Sequence, residues 1–180
     1  MPTLLNTARA LVACAAMVMA APVDVAGQVV AEASLKAAFL RNFVKFTEWP
    51  EDVLGPAATI VVCVSNPDVA TELERIVAGQ SINDHALSVR RIARAEPVAG
   101  CAVAYLTGVD AHRLPELLAG FARTATLTVS DDERFAERGG VVGLFVEDGR
   151  MRFAVNVSAA ERSRLRLSSK LLSLARIVRD

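Results

Sequence analysis

Thr59-Ile-Val-Val-Cys-Val64 is a continuous β-branched and apolar run, the texture of a strand buried on both faces of a parallel sheet. Asn66-Pro67 follows it and opens a helix through Ala78, with Val69, Leu73, Ile76 and Val77 inward and Gly79 as its stop signal. A strand that feeds directly into an amphipathic helix is the first half of a βαβ unit. Downstream the alternation repeats: strands at Leu87–Ile92, Ala102–Leu106 and Ala125–Val129, a short helix from Leu114 to Phe121, and a brief helix opened by a Ser130/Glu133 capping box. Val141–Val146 and Arg150–Val157 flank Glu147-Asp148-Gly149, and Asp-Gly between two apolar runs is a hairpin signal. A second capping box, Ser158 with Glu161, predicts a closing helix with Leu165, Leu167, Leu171, Leu172, Leu174, Ala175 and Val178 on its apolar face.

Upstream, Leu35, Phe39, Phe43 and Phe46 form one helical stripe, and Trp49-Pro50 should end that helix because a residue before proline is driven out of the helical region. Leu40 and Val44 lie on another face, so the helix either sits between two layers or gives that face to a partner. A homodimer contact through this helix is expected, with Leu40, Phe43 and Val44 as its residues and the face it uses left open. The expected fold is α/β: a single domain with a mostly parallel sheet flanked by helices on both faces, a C-terminal β-hairpin and a closing helix.

The chain has 180 residues, 53% of them apolar, with 20 basic and 20 acidic side chains. That is a globular composition, and its zero net charge excludes a strongly basic nucleic-acid binder. The balance is uneven along the chain, because residues 150–180 carry eight cations against Glu161 and Asp180. At the other end, Arg9 precedes an uncharged run, Leu11 to Ala20, that is too short to span a bilayer and reads as an export signal. Cleavage after Ala20 or after Gly27 satisfies the small-residue rule, and Gly27 is preferred. The expected organisation is a signal peptide at 1–27 and a mature domain at 28–180, placed in the periplasm. An uncleaved anchor, or a lipid-modified Cys14, is the alternative.

Export removes Cys14 and leaves Cys63 and Cys101 in an oxidising compartment, so a disulfide is expected, with two buried thiols as the alternative. No dinucleotide fingerprint, P-loop or nucleophile elbow occurs. His85 and His112 read as loop residues without a third metal ligand, and Gly139-Gly140 reads as a loop rather than a phosphate cradle. Asp131-Asp132-Glu133 follows a strand end, where a metal or phosphoacceptor pocket would sit, but Glu133 is already explained as a capping partner. No catalytic residue, cofactor or metal is therefore expected. On the closing helix, Arg162, Arg166 and Lys170 recur at i, i+4 and i+8 and predict a cationic ridge suited to an acidic surface on a partner protein or to anionic lipid.

Two stretches, LKAAFLRNFVKFTEWP (35–50) and VVGLFVEDGRMRFAVNVSAAERSRLRLSSKLLSLARIV (141–178), resemble the YfiR-like periplasmic repressors. The likeness is specific at the ends of the chain and looser between them, where Cys63 and Cys101 carry it. The resemblance implies an exported, non-enzymatic and dimeric regulator that represses an inner-membrane diguanylate cyclase or related sensor through its periplasmic portion. It also implies an outer-membrane lipoprotein that sequesters the repressor. Relatives carry two disulfides where this chain can make one. A different class of function, a small-ligand sensor, would need a pocket at the strand carboxyl ends near Ser65, Thr107 and Ser130.

Overall fold

The computed structural model describes residues 25–93, 99–122 and 124–179. Residues up to Asp24 of the expected signal peptide, with the Ala20 cleavage point and Cys14, lie outside them. In chain order the elements are α1 (Val25–Lys45), β1 (Thr47–Glu48), β2 (Ile60–Val64), α2 (Pro67–Val77), β3 (Ser81–Ile82), β4 (His85–Arg91), β5 (Val103–Tyr105), α3 (Leu114–Phe121) and β6 (Leu127–Ser130). There follow β7 (Val142–Glu147), β8 (Arg150–Asn156), α4 (Val157–Arg162), β9 (Arg166–Leu167), α5 (Ser169–Leu172) and β10 (Arg176–Val178).

Eight strands form one sheet in the order β10-β8-β7-β6-β5-β2-β4-β3. β4, β2, β5, β6 and β7 run parallel, β8 returns antiparallel to β7, and β10 lies parallel to β8 at the edge. The Thr59–Val64 run supplies β2, an interior strand of this parallel set between β4 and β5. One face of the sheet packs against α1 and α2, burying Val62, Tyr105, Val129 and Leu144 with Leu40, Phe43 and Leu73. The other face is covered by α3 and the segment after β6, through Ala104, Leu106, Leu114, Phe121 and Phe135. The expected mixed α/β sheet with helices on both faces is the fold.

Local chemistry explains several element ends. Asn66 Oδ1 accepts from the backbone N–H groups of Asp68 and Val69, both at 3.0 Å, and caps α2. In the β7–β8 hairpin Asp148 and Gly149 have φ of 49° and 69°, the paired positive values of the tight turn that Asp-Gly favours. At Gly140 a Cβ would fall onto the Phe135 ring, which is why the chain carries no side chain there.

Four local expectations are corrected. α1 ends at Lys45, not at Trp49, because Thr47–Glu48 leaves the helix to pair antiparallel with Arg166–Leu167. Ser130 opens no helix; its Oγ accepts from Asp132 N at 3.2 Å, a local turn bond that competes with a helical start. The second capping box is displaced too, since Asn156, not Ser158, caps α4 by accepting from Ala159 N at 2.8 Å. Finally, the closing helix is broken into α4, β9, α5 and β10. Arg164 has φ of 57°, which stops α4, and Ser168 Oγ then caps α5 through Leu171 N. Leu165 and Leu171 reach the core, whereas Leu174 is 71% exposed. Leu171→Ala should cost about 2–5 kcal/mol and Leu174→Ala less than about 0.5 kcal/mol, as read from urea unfolding.

Candidate interaction surface and the strand-end cluster

Connections leave β2 in one direction and β5 in the other, so the carboxyl ends of these two strands flank the switch point where α/β proteins hold ligands. Ser65 and Thr107 meet there: Thr107 N donates to Ser65 Oγ at 2.9 Å, and the two hydroxyl oxygens are 3.3 Å apart. Ser130 is not part of that pair, being turned to Asp132. The hydroxyls expected to line a pocket are thus engaged in holding the strand ends together.

Beside them lies a cluster that no local pattern announces. Lys36 on α1 donates to Asp131 at 2.7 Å and pairs with Glu32 at 2.6 Å, while Tyr105 OH donates to Asp131 at 3.0 Å. Asp131 lies 95 residues from Lys36, so only the fold brings them together. Burial opposes the Lys36 charge, but the hydrogen bonds and charges of Asp131 and Glu32 together outweigh it and raise its pKa above 10.5. Burial first, then the Asp131 charge, pushes the Tyr105 phenol far above its ordinary 10.0. The arrangement clamps the amino-terminal half of α1 to the end of β6.

Both shifts have the same sign in pH. Above about pH 10 the unfolded chain loses the Tyr105 proton and, slightly higher, the Lys36 proton, while the native state keeps them. The native state then binds more protons, so stability is present below that pH and lost as pH rises through it. Melting temperature should accordingly fall above about pH 10, and Tyr105→Phe should flatten that fall while lowering stability at pH 7 by about 1–3 kcal/mol for the lost bond to a carboxylate. An unchanged alkaline slope in the variant would assign the loss elsewhere.

The other acidic and imidazole residues disperse. Asp132 takes Arg138 at 2.8 Å, Asp132 Oδ1 also accepts from Arg134 N, and His85 Nδ1 lies 2.8 Å from the Ala58 carbonyl. Among the described residues no three His, Cys, Asp or Glu side chains come together as metal ligands would.

The C-terminal cations do not form the predicted ridge. Arg162 ends α4, Arg166 lies on β9 and Lys170 on α5, so the helical spacing that aligned them is lost at Arg164. They remain exposed. Acidic residues from a remote segment approach them: Arg164 pairs with Asp52, and Glu48 stands opposite Arg166 in the β1–β9 register. Among the described residues no ion pair holds Arg166 or Lys170. Arg176 lies over the Phe145 ring, 4.2 Å from its centroid.

The expected dimer contacts also move. Leu40, Phe43 and Val44 are buried within one chain, at 0%, 1% and 0% exposure, because the second face of α1 is taken by α2 and the sheet. The apolar residues of α1 that stay exposed are Val29, Val30 and Leu35.

Cys63 in β2 and Cys101 just before β5 are joined as a disulfide, with Cα atoms 5.8 Å apart. The bridge ties the connection that enters β5 to the neighbouring central strand. Among the described residues no helix is long and apolar enough to cross a membrane.

These features define a single-domain, disulfide-closed α/β protein whose strand-end polar groups serve the fold and whose C-terminal segment presents exposed cations, of which Arg166 and Lys170 have no ion pair among the described residues. The sequence profile of the YfiR/HmsC-like family matches residues 33–176, and the chain belongs to that family. No curated protein matches the chain. The family is one of periplasmic, regulatory and non-catalytic proteins.

Proposed function

We propose that this protein is exported, acts in the periplasm as a dimer, and binds and represses the periplasmic portion of an inner-membrane signalling protein, a diguanylate cyclase. The family match over 33–176 carries this reading. An outer-membrane lipoprotein that sequesters the repressor completes the scheme. Residues 1–27 act as the signal peptide; a cut after Gly27 falls in the first turn of α1, which begins at Val25. N-terminal sequencing of protein recovered from the periplasm tests that cut, and recovery in the cytoplasm with Met1 intact would overturn export. A monomer of about 16–17 kDa by light scattering at micromolar concentrations would overturn dimerisation.

The docking contact includes Arg166 and Lys170, supported by their exposure and by the lack of an ion-pair partner among the described residues, with Arg162 beside them in sequence on α4. A purification from envelope extract should retain one inner-membrane cyclase. Arg166→Glu/Lys170→Glu should melt like wild type and associate with that cyclase about tenfold more slowly at low salt, with a flatter salt dependence. Unchanged rates and salt slope would remove these residues from the contact.

A further inference from the structure

The Ser65 and Thr107 hydroxyls at the strand ends bond each other, and a cavity of about 290 Å³ lies elsewhere, on the face away from α1 and between α3 and α4. Its apolar wall comes from Leu118 and Ala119 of α3, with Phe121, Val141 and Ala159. The gap exists because short side chains line it: Ala119 on α3, Ala122 just after it, Gly139 after β6 and Ala159 on α4. Leucine at any of the three alanines would occupy the space. Two guanidinium-bearing residues, Arg138 and Arg162, also belong to the lining, and among the described residues no carboxylate does.

We propose that this groove binds a small carboxylate with an apolar body, its tail against Leu118, Phe121 and Val141 and its carboxylate between Arg138 and Arg162. The size is at the lower limit of ligand pockets, about 300 Å³, which selects a ligand of several carbons rather than a lipid. The charge pattern selects an anion. Asp132 engages Nη1 of Arg138, and a guanidinium has five N–H donors, so a partner already held by either arginine still leaves donors for a carboxylate. The apolar wall selects against a bare anion such as acetate. The site shares Arg162 with the docking contact proposed above, but its remaining walls come from α3, the rest of α4 and the segments flanking β6 rather than from β9 and α5.

The test is calorimetric titration of the purified protein with octanoate, octan-1-ol and acetate in parallel. Octanoate should bind saturably, one per chain, and at least about tenfold more tightly than either control, since octanol lacks the charge and acetate the tail. Ala119→Leu places an isobutyl group in the groove at an exposed helical position and should abolish octanoate binding without lowering the melting temperature. Arg162→Gln should weaken octanoate binding about tenfold and narrow its advantage over octan-1-ol, Arg138 keeping the remainder. Octanol binding as tightly as octanoate, no saturable octanoate binding up to about 10 mM, or unaltered affinity in Ala119→Leu would each overturn the proposal. Loss of cyclase binding in the Arg166→Glu/Lys170→Glu variant with octanoate affinity intact would show that the two sites stand or fall separately.

Discussion

Phe43→Ala is expected to lower the free energy of unfolding by about 3–5 kcal/mol, the range for removing a buried aromatic ring. Phe43 is 1% exposed. Its ring packs 5.9 Å from that of Phe39 and 5.2 Å, edge to face, from that of Phe153 on β8. Part of the cost is the lost transfer of the ring from water, and part is the cavity left between α1 and the sheet, which two flanking aromatic rings cannot both move to fill. Urea unfolding at constant m-value measures the loss. The same experiment decides whether α1 serves the core or an interface. A variant that unfolds at the wild-type midpoint yet changes its mass in solution would return Phe43 to a dimer contact.

Removing the Cys63–Cys101 bridge is expected to cost up to about 4 kcal/mol, the chain-entropy value for a loop of 38 residues. For a domain of this size that corresponds to roughly 10 °C in melting temperature. The bridged pair is buried, with Cys63 at 0% exposure, so a reductant reaches it only when the sheet opens. Native protein should therefore resist dithiothreitol for a time set by opening, and the Cys63→Ala/Cys101→Ala variant should show the full loss at once. Equal melting temperatures for the bridged protein and the double variant would show that the bridge adds nothing to stability.

Much of the fold was legible because its signals are local. The β2 run is too β-branched and too apolar for anything but an interior strand, Asn66-Pro67 caps and starts α2 by itself, and Asp148-Gly149 adopts the positive dihedrals of its turn with little help from elsewhere. The cysteine pair was legible from parity and compartment. The resemblance at both chain ends was specific enough to name the family that residues 33–176 match.

The tertiary structure decided what depends on remote partners. From residue 157 onward the apolar spacing suits one long helix, and nothing local says that Arg166–Leu167 will meet Thr47–Glu48 or that Arg176–Val178 will extend β8. Strands of two or three residues gain almost nothing alone; their hydrogen bonds exist only once the partner strand is in place. That pairing broke the closing helix, dispersed Arg162, Arg166 and Lys170, and exposed Leu174. The Lys36–Asp131–Tyr105 clamp and the groove between α3 and α4 were invisible for the same reason: side chains far apart in the chain meet only after the sheet has set their distance. Sequence alone determined the strand order's raw material, the disulfide and the family. Packing decided which faces were left for a partner, because a helical stripe reads the same whether a second copy or the chain's own sheet covers it.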